Sequence, residues 1–266
     1  NILGTAEQLR TYTTEDALRF TRRYYRPDNS VFFAYGDVDF GKLVRLLERA
    51  NAVAADSSQQ QSSAESPAID VNKEKSAMAL PPYVAQHINH HMDTHLAHVM
   101  LGNRAYDVHD NRRIALYLLN NILGGPGMNA RLNISLRERH ALVYTVESMM
   151  QSYSDTGLWA VYFGCDPKNV DKCLRLIRHE LDKVMEKPLC EAQLHAAKKQ
   201  IRGQIGIACD SRESFALDFA KGFLHYGWKK DVTALCDHID ALTAEDLQRV
   251  AQETFAEESL TKLVIV

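Results

Sequence analysis

Two segments 230 positions apart follow the same local grammar, and nothing else in the chain constrains its fold as strongly. "TTEDALRFTRRYYRPDNSVFFAY" (residues 13–35) lies over "TAEDLQRVAQETFAEESLTKLVI" (243–265) without a gap, with Thr13/Thr243, Glu15/Glu245, Asp16/Asp246 and Arg19/Arg249 identical. Each opens on a hydroxyl followed three residues later by a carboxylate, the pattern that caps a helix N-terminus. Phe20/Val250 and Tyr25/Phe255 keep the apolar character, and each segment closes in an apolar run suited to a strand. Four identities in 23 positions leave two readings open, an internal repeat or a common helix-to-strand grammar met by chance. Under the first, much sequence precedes the closing helix and strand of the second copy and almost none precedes the first. The expectation is then a repeated domain whose first copy is incomplete, the chain being the C-terminal part of a longer protein.

A low-complexity stretch, "NAVAADSSQQQSSAESPAIDVNKEKSAMALPP" (51–82), reads as a linker. The predicted organisation is residues 1–50 as the remnant of a first domain, 51–82 as linker, and 83–266 as a second domain. Within residues 1–50 the capped helix ends near Tyr25 ahead of Pro27, a strand follows in "SVFFAYGDVD", and "FGKLVRLLERA" is helical. In the second domain, "YVAQHINHHM" and "HLAHVMLGNRA" predict a β-hairpin turning at Asp93-Thr94. Next come a helix in "DNRRIALYLLNNIL", stopping at Gly124-Gly125-Pro126, and a short helix near 128–138. Strands near 143–151 and 157–163 precede helices near 168–186, 190–208 and 212–225. Strands grouped apart from consecutive helices predict an α+β two-layer sandwich, with helices on one face of a mixed or antiparallel sheet.

Charge and motif searches exclude several function classes. The formal net charge is −3, from 31 basic and 34 acidic residues, so no basic footprint marks a nucleic-acid or anionic-membrane partner. No apolar run approaches the roughly 20 residues of a membrane helix. Five cysteines, odd in number and never spaced CxxC, argue against a disulfide framework or zinc ribbon and read as mostly buried thiols. His87, His90, His91, His95 and His98 crowd the expected hairpin. On a strand their spacing scatters them over both faces, so packed or solvated imidazoles are favoured over a metal site. Neither HExxH nor HxxEH occurs, GxSxG is absent, and the Gly124–Gly127 turn lacks Walker spacing and loses an amide at Pro126. That turn reads as a helix-to-helix connection.

The most informative stretch is "LNNILGGPGMNARLNISLRERHALVYTVESMMQSYSDTGLWAVYFG" (119–164). Arg137 should close a helix and Tyr144 should open the next strand, so the bend between them can bring a guanidinium and a phenol into one cleft. Both are neutral-pH hydrogen-bond donors, able to hold a peptide carbonyl and the oxyanion it becomes when water adds. The alternative pairs Arg137 with a surface acid and leaves Tyr144 at a core edge; spacing alone leaves both readings open.

The Leu-Gly-Gly turn, Arg-Leu, Leu-Arg-Glu, strand-opening tyrosine and Asp-Thr-Gly of this stretch together resemble the pattern of pitrilysin/insulinase-type peptidases and mitochondrial processing peptidase subunits. "ILGTAEQLRTYTTEDALRFTRRYYRPDNSVFFAYGDVD" resembles the segment closing the first domain of those proteins. The resemblance implies repeated α+β domains, two per half, and two halves, as a homodimer or with a second homologous half, enclosing a chamber where peptide or unfolded polypeptide is cut by a zinc-bound water. The zinc would be held by an inverted HxxEH in a preceding domain, so no ligand is expected in this chain, which alone should be inactive. By position, Arg137 and Tyr144 match the family's arginine–tyrosine pair as substrate and oxyanion donors. The alternative is a non-catalytic scaffold or substrate-presenting subunit of the same fold.

Overall fold

A strand exists only by pairing, and in this chain the pairing is largely non-local. The computed structural model describes residues 3–58, 80–92, 94–229 and 231–266. Its described residues form two compact units: those of Asn1–Ser76 with Ile207–Lys230, and those of Ala77–Gly206 with Asp231–Val266.

The second unit is built on a five-stranded sheet. Strands β1 (His87–His90), β2 (Ala97–Ala105), β3 (Val143–Ser152), β4 (Gly157–Cys165) and β5 (Thr261–Ile265) lie in the order β1-β5-β2-β4-β3. All neighbours are antiparallel except β1 and β5, so the sheet is mixed. Alternate residues Ala97, Val99 and Leu101 on β2 join Trp159, Val161 and Phe163 on β4 and Val146 on β3 in a buried face. Helices α4 (Arg112–Gly124), α5 (Val170–Glu186) and α9 (Ala244–Phe255) pack with one another and with this sheet, through Leu116, Leu119, Ile177, Leu181, Val250 and Phe255. The Trp159 and Phe255 rings lie 4.4 Å apart between centroids. Each such side chain, fully buried, contributes roughly 2 kcal/mol of transfer free energy. On the other face Glu147, Met149, Gln151 and Leu158 are exposed, which gives the expected two layers with helices on one face.

The expected hairpin of residues 83–105 does not form: β5 enters between β1 and β2, bonding β1 in parallel and β2 antiparallel. The physical reason is that the apolar closing strand satisfies its backbone groups on both edges only in an interior position, whereas the fully exposed β1 serves as the edge. Asp93 of the predicted turn lies outside the described residues.

Residues Thr13 and Thr243 cap α2 (Thr14–Tyr24) and α9 identically, each hydroxyl accepting from an aspartate N–H three residues on, each aspartate carboxylate accepting in return. The ion pairs Arg19–Asp16 and Arg249–Asp246 also coincide. Single 3₁₀ turns follow at Pro27–Asn29 and Glu257–Ser259, keeping the offset of 230. The correspondence then stops: 261–265 is β5, whereas the strand expected in 30–39 joins no sheet among the described residues. No strand is present among the described residues of the first unit to pair with it, and Phe33 and Tyr35 instead stack on Phe219 and Phe215 of α7 (Arg212–Tyr226).

Other boundaries moved. Helix α3 (Phe40–Ser58) enters the expected linker, where the alanine-rich 50–55 favours helix, and 59–79 lie outside the described residues. Helices α1 (Ala6–Thr11), capped by Thr5, and α8 (Val232–Ala241), capped by Asp231, complete the set with α6 (Glu191–Asp210). Only two of the five cysteines, Cys165 and Cys173, are fully buried; Cys190 is exposed just ahead of α6, and Cys209 and Cys236 are intermediate because α6 and α8 bury few residues.

Candidate active site

The turn that precedes the site is set by close approach. Helix α4 ends at Gly124, where a Cβ would lie 2.6 Å from the Ser148 nitrogen of β3, so only glycine lets the helix end reach the sheet. The segment after it is helical over 131–138, within the short helix expected near 128–138. It widens there into a π-helical turn, Asn133–Glu138, with the Arg139 N–H donating five residues back to the Ile134 carbonyl at 3.0 Å.

Arg137 closes that turn and Tyr144 follows on β3, and two backbone hydrogen bonds pin the bend between them. The Ala141 N–H donates to the Arg137 carbonyl and the Leu142 N–H to the Leu136 carbonyl, both at 2.9 Å. Ala141 adopts φ 48°, the left-handed conformation that reverses the chain. Tyr144 is thus at most about 7 Å of extended chain beyond a residue bonded to the neighbour of Arg137.

A bulge directs Tyr144. Val143 registers with Cys165 and Val146 with Phe163, so Tyr144 and Thr145 together face Gly164 alone. Regular alternation would turn one of the two inward, but both are exposed, Tyr144 at 78%. Arg137 is half exposed, its Nε 3.9 Å from Glu138 and otherwise without an ion pair among the described residues. No hydrogen bond joins Arg137 to Tyr144 among those residues.

Sequence reasoning missed two neighbours on the open sheet face. His98 Nδ1 and the Tyr162 hydroxyl share a hydrogen bond at 2.8 Å, and their rings stack with centroids 6.1 Å apart. His98 pairs across β2–β4 with Gly164, one row from Tyr162, which brings this dyad beside the bulge. The signal was a histidine and a tyrosine on paired strands, invisible before the pairing was known. The other strand histidines do not converge: His87 and His90 are exposed on edge strand β1.

Among the described residues no group of three or more His, Cys, Asp or Glu side chains converges to hold a metal ion, so these residues do not fit zinc. The buried thiols do not offer nucleophiles either, since burial pushes the Cys173 thiol up to about 12 and raises Cys165 as well. No described helix is long and apolar enough to cross a membrane.

The family model described as the peptidase M16 inactive domain matches residues 11–201. An uncharacterized zinc protease of Streptomyces coelicolor is 29% identical over 260 residues, covering 95% of this chain and 53% of its own length. The uncharacterized zinc protease YmxG of Bacillus subtilis is 25% identical over 263 residues, covering 99% of this chain and 60% of its own. The crystal structure of a protease from Helicobacter pylori superposes with a TM-score of 0.76 at 22% identity, over 98% of this chain and 61% of that one, and shows the same fold. This chain therefore spans a little over half the length of the curated relatives it matches.

Proposed function

Because this chain belongs to the peptidase M16 inactive-domain family, we propose that it is the C-terminal, substrate-binding portion of a zinc-dependent endopeptidase acting on peptides or unfolded polypeptides in an enclosed chamber. Under this proposal the zinc ligands lie outside the described residues, and the residues of this chain hold the substrate. In this reading residues 1–50 close a preceding domain of the same type. Their helices α1 and α2 bury no side chain, and Leu18, Phe20, Phe32 and Phe40 stand exposed. A homologous half, on the same polypeptide or in a homodimer, completes the chamber.

The role of this portion is to hold the scissile carbonyl. The observation that carries the reading is the bulge that presents the Tyr144 hydroxyl to solvent at the end of the bend begun by Arg137. A neutral phenol donates one hydrogen bond and a guanidinium several, and both strengthen as the carbonyl oxygen gains negative charge. In full-length, zinc-loaded protein, Tyr144→Phe should lower kcat/KM for an unfolded peptide by about 100-fold, the usual cost of one oxyanion donor. Wild-type kinetics in that variant would remove Tyr144 from the mechanism.

A second reading makes the protein a non-catalytic scaffold or substrate-presenting subunit. It is favoured by the description of the matching family model as an inactive domain. Zinc-dependent hydrolysis by the purified full-length protein, abolished by chelation and restored by zinc, would exclude it.

A further inference from the structure

A cavity of about 260 Å³ opens between the π-helical turn, α5 and the start of α6, within the second unit and built from residues other than Arg137 and Tyr144. Its wall carries three cations, Arg131, Arg139 and Lys183, against one carboxylate, Glu180. Glu180 is only 7% exposed, and the Lys183 ammonium donates to its Oε1 at 2.7 Å, so that carboxylate is already engaged by the lysine. Neither arginine has a carboxylate partner among the described residues, although Arg131 is half buried. The site is therefore formally +2 in a chain whose net charge is −3.

Uncharged polar groups complete the wall. Gln193 accepts from the Cys190 N–H through its Oε1 at 3.2 Å, which leaves the NH₂ of its amide as a donor. Ser135 contributes a hydroxyl. The donor set is thus two guanidinium forks, an amide and a hydroxyl, with the single acceptor group neutralised by a lysine.

We propose that this cavity is a binding site for a phosphate group, free or carried on a small molecule. A dianion matches the unbalanced charge, and guanidinium forks bind tetrahedral oxyanions bidentately. At roughly 30 Å³ per water the cavity has space for about eight waters, enough for a phosphate with part of its carrier or its hydration shell. The anion would give the half-buried Arg131 the acceptor it lacks.

The test is calorimetric titration of the whole chain with inorganic phosphate and, separately, with a nucleoside monophosphate, at constant ionic strength. Saturable 1:1 binding is expected, weakened about tenfold or more in Arg139→Gln and in Arg131→Gln, the usual loss for a charge-assisted hydrogen bond. Arg139 is exposed, so its variant keeps the test readable if Arg131→Gln unfolds. Arg175→Gln, on α5 but outside the cavity, should bind like wild type. Tighter binding of the monophosphate identifies a carried phosphate, and equal binding identifies the free ion. Absence of saturable binding, or wild-type affinity in the Arg139 variant, would overturn the assignment.

Discussion

Gly164 on β4 stands opposite the bulge that carries Tyr144, between the registered pairs Val143–Cys165 and Val146–Phe163. A Cβ built at Gly164 would meet nothing closer than the Ala97 carbonyl and the Tyr162 hydroxyl, both at 4.0 Å, so the backbone does not require glycine there. Glycine thus leaves room for a side chain opposite the bulge. Gly164→Val should keep the melting temperature or raise it slightly, because β-branched residues suit strands. If the proposed function holds, the full-length protein carrying it should show kcat/KM for an unfolded peptide lowered by about tenfold or more, through displacement of Tyr144 or of the carbonyl proposed to bind there. Thermal unfolding and peptide hydrolysis measured on one preparation separate the two effects; a fall in both together would mean that Gly164 serves only the fold.

Ala141 holds the bend between the two donors with a positive φ that costs a non-glycine residue on the order of 1 kcal/mol. Ala141→Gly should therefore be neutral or stabilise by up to about 1 kcal/mol. Ala141→Val, whose β-branch is poorly tolerated in this conformation, should destabilise by about 1–3 kcal/mol. Urea unfolding checks the order Gly ≥ Ala > Val, and any other order would mean that the bend is not held by this conformation.

What could be read from residues alone was local. The β3–β4 pair was legible because two short segments rich in apolar and aromatic residues flank the turn at Ser154-Asp155, and α4 because its apolar spacing ends in glycine. The insertion of β5 between β1 and β2 was not, since Lys262 bonds to Gln86 across 176 positions and no local pattern selects that partner. Helix α8 was overlooked although Asp231 ahead of Val232 is an N-cap signal, because ten residues give too few turns for a periodic stripe. At the site, the spacing of Arg137 and Tyr144 was visible, but the bulge exists only relative to the register of β4. The cationic cavity likewise joins residues 131–139 to Glu180 and Lys183, more than 40 positions later.

The capping box of α9 predicts an acid response of known sign. The Asp246 carboxyl is held below the usual aspartate range, chiefly by the Thr243 N–H, then by the Thr243 hydroxyl and the positive charge of Arg249. A group whose folded pKa is depressed stabilises above its unfolded value, about 3.9 for aspartate, and that contribution is lost as pH falls through the lower folded value. Stability should thus decline below about pH 4, and Asp246→Asn should reduce this decline while costing about 1 kcal/mol at neutral pH. Denaturant midpoints at pH 7 and at acid pH provide the measurement; an unchanged acid response in the variant would assign it to other carboxylates.

At the opposite end of the pH scale, Tyr106 sets the expectation. Its hydroxyl donates to Glu253 Oε2 at 2.6 Å, Arg112 Nη1 reaches the same oxygen at 2.8 Å, and the guanidinium lies 4.6 Å from the center of the Tyr106 ring. Burial first, and then the hydrogen bond to Glu253, push the phenol well above the ordinary tyrosine range. Burial raises Tyr117 in the same direction. A raised folded pKa gives stability that is complete below the unfolded value, about 10, and is lost as pH rises through the folded one, because the unfolded phenol ionises first. Stability should therefore fall above about pH 10, and ultraviolet titration of the folded chain should show the last tyrosinates appearing only with unfolding. Tyr106→Phe should cost about 1 kcal/mol at neutral pH for the lost hydrogen bond, leave Glu253 paired with Arg112, and flatten the alkaline decline. Tyr106→Phe with Tyr117→Phe should flatten it further, and an alkaline limb identical to wild type in the double variant would locate the alkaline sensitivity elsewhere in the chain.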